Sequence, residues 1–203
     1  MRTEPYAICL LAGGQARRMG GGDKGEIKIE GQTIITRMMA QFSQAPYLFL
    51  NANGNTDRLA HYGLDIIGDL LPDHQGPLSG IYAAMCHLQQ TRPDCKWLLS
   101  LPTDAPLLPP HLDRDLLAFA TQTKADIVSV SSHGRTHPVI ALWSLDLTSA
   151  LHHALIEEGV RKIDAFTAGH DCHYLDYDGT PDPFMNLNRP QDVTAFQASL
   201  SDK

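Results

Sequence analysis

Residues 13–25 read Gly13-Gly14-Gln15-Ala16-Arg17-Arg18-Met19-Gly20-Gly21-Gly22-Asp23-Lys24-Gly25, and six of these thirteen are glycine. Glycine lets backbone N–H groups turn inward and approach phosphate oxygens closely. Arg17, Arg18 and Lys24 add cationic donors, and an arginine grips phosphate bidentately. The chemistry this combination suits is the holding of a triphosphate. Two familiar phosphate motifs do not fit. A P-loop needs Gly-Lys-Ser/Thr, whereas Lys24 stands between Asp23 and Gly25. Gly20, Gly22 and Gly25 match G-x-G-x-x-G literally, but no strand runs directly into Gly20 and no clear helix pattern opens at Gly25.

Further polar residues fall just after apolar runs. Asp104 lies in Leu101-Pro102-Thr103-Asp104-Ala105-Pro106, after the run 97–101 (WLLSL). A carboxylate at a strand's carboxyl end can take Mg²⁺, which uses one or two carboxylates and fills its shell with phosphate oxygens and water; an Asp there can equally cap a turn. Asn51 ends the run 47–50 (YLFL), and Asp69 follows 64–67 (LDII). Both are also common turn formers, so residue type alone leaves both readings open. Gly76-Pro77-Leu78-Ser79-Gly80 reads as a helix start, where small residues let a ligand approach the positive end of the dipole; a plain proline helix start gives the same pattern. In Asn186-Leu187-Asn188-Arg189-Pro190, two amides at i and i+2 share one face of an extended segment. None of the ten histidines forms H-E-x-x-H, and adjacent His152 and His153 cannot share a helix face. They read as solvated or core side chains.

The elements that must position these groups alternate. Strands are expected at 7–12 (AICLLA), 47–50, 64–67, 97–101, 127–130 and 139–143. Helices are expected at 34–42, 78–88, 109–121 (opened by Pro109 and Pro110), 147–157 and 163–168, with a last one from Pro190 to about 200. Near-continuous apolar strands alternating with helices predict a mostly parallel central sheet covered on both faces, an α/β Rossmann-like three-layer sandwich. Ligands in such sheets bind outside the carboxyl ends of the strands. No repeat or linker divides the 203 residues, so residues 1–203 are expected to form a single domain. The formal net charge of -7 argues against a nucleic-acid or anionic-membrane surface. No apolar run approaches the ~18 residues of a membrane span, and the N-terminus does not read as a signal peptide. Cys9, Cys86, Cys95 and Cys172 show no C-x-x-C spacing and read as reduced thiols. Cytoplasmic location is the expectation.

The segment LAGGQARRMGGGDKG resembles the signature L-A-G-G-x-x-x-R-M-G-x-x-D-K of nucleotidyltransferases, in particular the molybdenum cofactor guanylyltransferase (MobA) family. Matching motifs extend from Leu11 to Pro190. The resemblance implies a nucleotidyltransferase-type fold, with Leu11, Ala12, Gly13 and Gly14 at GTP and Arg18 and Lys24 on its phosphates. It carries GTP contacts onto Asn51 and Asp69, and the carboxylate of Asp69 suits the two adjacent donors of guanine. Asp104-Ala105-Pro106 matches the family's D-x-P metal site, which implies Mg²⁺ on Asp104 and a catalytic trio of Lys24, Arg18 and Asp104. Gly76 and Gly80 match G-P-L-x-G, and Asn186 and Asn188 match N-x-N-T-P except that Arg189 replaces threonine. With His137, these four are expected on the acceptor side. The implied reaction moves GMP from GTP to the terminal phosphate of a molybdopterin-type cofactor and releases pyrophosphate. The expected partners are these small molecules, with transient contact to molybdopterin-loading or molybdoenzyme-maturation proteins. A cytidylyl or sugar-phosphate nucleotidyltransferase is the nearest alternative; a non-catalytic cofactor carrier is a more distant one, since a carrier needs no metal carboxylate.

Overall fold

A strand with no polar face must be covered on both sides, and β1 (Tyr6–Leu11) is such a strand, buried through Leu10. The computed structural model describes residues 4–12, 23–71, 76–187 and 191–194. In it β1 lies inside a seven-stranded sheet. On one side it pairs in parallel with β4 (Leu48–Asn51), which pairs in parallel with β5 (Ile66–Ile67). On its other side it pairs in parallel with β6 (Trp97–Pro102). Beyond β6 come β8 (Arg135–Ser144), β7 (Ile127–Ser132) and the edge strand β9 (Cys172–Asp176). β8 runs antiparallel to both its neighbours. A small two-stranded ribbon, β2 (Lys28–Ile29) with β3 (Gln32–Thr33), stands apart.

Side chains alternate across a strand, and the alternation sorts the core into two layers. Ile8, Leu10, Leu50 and Leu101 pack with α1 (Ile34–Gln41) and α3 (Leu112–Thr123). Ala7, Cys9, Phe49 and Leu98 pack with α2 (Pro77–Thr91), α4 (Thr148–Ile156) and α5 (Ile163–Thr167). Each fully buried side chain of Leu or Phe size contributes about 1.5–3 kcal/mol. The strands are thereby anchored along their length, and their carboxyl ends become fixed points.

Three expectations are corrected. The two strands after α3 are a hairpin. His133 and Gly134 both take left-handed φ, 49° and 73°, as a tight hairpin turn requires. β8 is twice the expected length because Arg135, Thr136 and His137 also pair with β7, beyond a bulge opposite Ser129 and Val130. Pro138 sits in that bulge, where its missing N–H costs no ladder bond. The freed carbonyls are taken up by Ser100, whose hydroxyl donates to Val139 O at 2.6 Å, and by Ser129, which donates to Ile140 O at 3.2 Å. Second, Pro109 and Pro110 do not open α3. His111 in the left-handed region (φ 63°) interrupts them, and the helix starts at Leu112. Third, β9 has no counterpart among the expected strands; it adds in parallel to β7. Residues 191–194 are helical, and the rest of the expected last helix lies outside the described residues.

Candidate active site

The carboxyl ends of β1, β4, β5 and β6 converge on one cleft of about 260 Å³. Leu11, Lys24, Asn51, Asp69, Gly76, Gly80 and Asp104, all expected site residues, line it. Among the described residues, Asn53, Pro77, Pro102, Thr103 and Val139 line it as well. Gly13, Gly14, Arg18 and Asn188 lie outside the described residues.

At one end of the cleft, Lys24 Nζ donates to Asp104 Oδ2 at 2.8 Å, with side chains 20% and 14% exposed. Asp104 Oδ1 is buried and has no hydrogen-bond partner among the described residues. A buried charged oxygen without a partner costs free energy, so this atom is suited to a ligand. Lys24 sits on a 3-10 turn, Lys24–Glu26. A Cβ at Gly25 would lie 2.7 Å from Ile35 Cδ1 and 3.0 Å from Thr103 Cβ, so only glycine lets this turn lie against the loop that carries Asp104. The Leu187 N–H donates to Asp104 O at 2.8 Å, which pins the loop from the C-terminal side.

At the other end, Asn51 is buried and its amide donates to Asp69 Oδ1 at 2.9 Å. The Asp69 N–H donates to Asn53 Oδ1 at 2.8 Å. The parallel register of Asn51 with Ile67 brings these groups together. A Cβ at Gly80 would lie 2.5 Å from Asn51 Oδ1, so the glycine in α2 is what admits the Asn51 amide. Ala12 is buried and its N–H is committed to Asn51 O at 2.8 Å, so the backbone donor of Ala12 is not available to a ligand.

Two expected acceptor-side residues do not line the cleft. His137 Nε2 is 2.8 Å from Ser132 Oγ, which donates to Asp182 Oδ1 at 2.8 Å, and the ring packs on Phe184 at 5.1 Å. Burial lowers the His137 pKa, with Arg135 adding to the effect and Asp182 opposing it. At Asp182 burial acts to raise the pKa, but the Phe184 N–H, the Ser132 hydroxyl and His137 outweigh it and hold the carboxyl below its ordinary value. Asn186 is exposed, next to Leu187. His152 packs on Tyr82 and His153 pairs with Glu158 at the surface. All four cysteines are free, with Cys9 and Cys95 buried.

Residue type and spacing point to no role for Asn53, Asp23 or Arg58. Arg58 Nε donates to Asp23 Oδ2 at 2.5 Å, and the Asp23 side chain is 6% exposed. The one signal in the sequence is an Asp directly before the lysine.

Among the described residues, no helix is long and apolar enough to cross a membrane. None of their His, Cys, Asp and Glu side chains gather in threes as a ready-made metal cage.

Residues 8–172 match the MobA-like NTP transferase domain family. The molybdenum cofactor guanylyltransferase of Rhodopseudomonas palustris (strain BisB5) is 42% identical over 91% of this chain and 89% of its own. That of Shewanella sediminis is 36% identical over 95% of each. Among solved structures, the molybdopterin-guanine dinucleotide biosynthesis protein A of Archaeoglobus fulgidus superposes with a TM-score of 0.76 at 22% identity, covering 97% of this chain and all of that one. A CMP:2-keto-3-deoxy-manno-octonic acid synthetase complexed with CTP superposes at 0.71 with 12% identity over 98% of each chain, which extends the shared fold to a cytidylyl enzyme. The chain belongs to the molybdenum cofactor guanylyltransferase (MobA) family of nucleotidyltransferases.

Proposed function

We propose that this protein transfers GMP from GTP onto the terminal phosphate of Mo-molybdopterin, forming the molybdopterin guanine dinucleotide cofactor and pyrophosphate. The relatives' name supports the reaction. The observation that carries the site assignment is Asp104, paired with Lys24 through one oxygen and holding a second, buried oxygen without a hydrogen-bond partner among the described residues.

A carboxylate with no protein cage around it among the described residues fits Mg²⁺, which takes the rest of its shell from phosphate oxygens and water. Asp104 would hold the ion, and when bound it would neutralise charge on the triphosphate. An oxygen of the acceptor's terminal phosphate forms the new bond to the α-phosphorus. The bond from that phosphorus to the bridging oxygen breaks, and pyrophosphate leaves with the electron pair. The nucleophile is already an anion, so no side chain has to remove a proton. What remains for the protein is alignment and charge stabilisation. Lys24, and Arg18 from the glycine-rich segment, supply the positive charge on the triphosphate.

At the base end, Asn51 takes one acceptor position of Asp69 Oδ1, and a carboxylate has further acceptor positions to offer a ligand. Guanine offers two adjacent donors to such a carboxylate; adenine and cytosine each offer one donor beside an acceptor. Gly76, Gly80, His137, Asn186 and Asn188 are assigned to the acceptor side by motif alone; of these, Gly76 and Gly80 line the cleft. The proposed location is the cytoplasm.

The test is pyrophosphate release with GTP, CTP or ATP, with and without Mo-molybdopterin, and with and without Mg²⁺. Release requiring GTP, acceptor and Mg²⁺ together is the expected result. A preference for CTP, or release without acceptor, would reject the assignment.

A further inference from the structure

Lys24 follows a glycine-rich segment in the chain, and glycine gives up the most backbone entropy on ordering. A lysine has a long, rotatable stem as well. Transition-state stabilisation by its charge depends on its placement to within about an ångström. Contacts from outside the segment can fix the backbone that carries it.

The 3-10 helix Asp57–Tyr62, between β4 and β5, grips the Lys24 turn on both sides. Before Lys24, the buried carboxylate of Asp23 accepts from Arg58 Nε at 2.5 Å. After Lys24, the Glu26 carboxylate accepts from the Tyr62 hydroxyl at 2.5 Å. Arg58 and Tyr62 are four residues apart on one short helix, and Asp23 and Glu26 flank Lys24 at either end of one short turn. Arg58 Nη2 also lies 3.5 Å from Asn53 O, and the side chain of Asn53 holds Asp69. Tyr62 is in contact with Thr33 Oγ1 at 2.7 Å, which ties the clamp to the start of α1. Burial, with the Glu26 carboxylate beside it, pushes the Tyr62 hydroxyl up to about 12, so it stays protonated and remains a donor at neutral pH.

We infer that Arg58 and Tyr62 are positioning residues for the nucleotidyl transfer: they clamp Asp23 and Glu26, and so hold Lys24 against Asp104. The inference rests on the proposed function, since it assigns Lys24 its role at the phosphates. Neither residue is among the described residues that line the cleft. Their loss should therefore act on turnover through Lys24 and leave GTP affinity nearly intact. Asp23 is held for the same reason: its carboxylate is buried while the Arg58 side chain is 37% exposed, so the pair fixes the position of the Asp23 end of the turn.

The experiment measures kcat and KM for GTP with Mo-molybdopterin and Mg²⁺, and thermal midpoint, for Arg58→Met, Arg58→Lys, Tyr62→Phe and Lys24→Ala, and for the pair Lys24→Ala with Arg58→Met. Arg58→Met is expected to lower kcat roughly tenfold to a hundredfold with KM changed less than about twofold. Tyr62→Phe removes one oxygen and is expected to lower kcat by about threefold to tenfold without unfolding the protein. Arg58→Lys keeps the charge on Asp23 and should recover most of the loss. In the Lys24→Ala background, Arg58→Met should cost nothing further, because residues acting through one group are not additive. Unchanged kcat in both Arg58→Met and Tyr62→Phe, or the same fold loss in the presence and absence of Lys24, would overturn the inference. If Arg58→Met does not fold, Tyr62→Phe and its kcat against KM decide alone. Absence of wild-type turnover would reject the proposed function and this inference together, whereas wild-type turnover with unaffected variants rejects the inference only.

Discussion

At one end of the cleft, Asp104 gives one oxygen to Lys24 and keeps the other buried without a partner among the described residues. At the other end, Asp69 is tied twice by neutral amides, through its carboxylate to Asn51 and through its N–H to Asn53. The charged end is built incomplete and is suited to a cation and a polyphosphate whose charge changes during reaction. The amide end orients its carboxylate through two neutral hydrogen bonds, which suits recognition of a flat, unchanging base. A site can thus divide catalysis from selection by whether a cation or neutral amides hold its carboxylates.

The sharpest way to break this comparison is at the incomplete end. Asp104→Asn keeps the shape and removes the charge, and a loss of roughly 10³-fold in kcat is expected with the fold retained. Near-wild-type turnover at low Mg²⁺ would show that the unpartnered oxygen is not a metal ligand. Lys24→Ala comes next, with kcat lowered roughly a hundredfold and the KM for GTP raised less, because the charge matters most as the transition state forms. A raised KM with unchanged kcat would make Lys24 a binding residue only.

At the amide end the expected effects are smaller and selective. Asp69→Ala should forfeit a charged hydrogen bond, roughly 1.5–3 kcal/mol, or about tenfold to a hundredfold in kcat/KM for GTP. The poor rates with ATP and CTP should hardly change. A parallel fall with all three triphosphates would assign Asp69 to folding or to the metal. Gly80→Ala should be the mildest. Its methyl group would press on Asn51 Oδ1 at 2.5 Å and disturb the amide that holds Asp69. Overpacking of this kind costs about 1–3 kcal/mol of stability, measured as a lower thermal midpoint. GTP selectivity should weaken with it by a few-fold; an unchanged kcat/KM ratio of GTP to CTP would mean that Asn51 does not orient Asp69.

Much of the cleft is legible in the amino-acid sequence. Asn51, Asp69 and Asp104 each follow an apolar run, and such runs in an alternating α/β pattern become buried strands whose carboxyl ends meet. Lys24 is legible by its glycine and arginine neighbours. The Asn51–Asp69 bond is not, because it spans eighteen residues and depends on the register of β4 against β5. His137 and Asn186 show the opposite limit. Their motifs point to the acceptor side, while the fold commits His137 to Ser132 and Phe184 and leaves Asn186 at the surface, outside the cleft.

The sequence by itself determined the alternation of buried strands and amphipathic helices, and with it a mostly parallel sheet and the strand ends where chemistry would lie. Those are local properties, set by apolar periodicity and by which residue types stop a strand. Only the tertiary structure decided that β8 enters antiparallel between β6 and β7, that His111 rather than Pro109 and Pro110 precedes α3, and that Arg58 and Tyr62 close on either side of Lys24. These depend on contacts between residues far apart in the chain. A salt bridge between Asp23 and Arg58 leaves no periodic trace, because its partners are matched by packing in space and not by spacing in sequence.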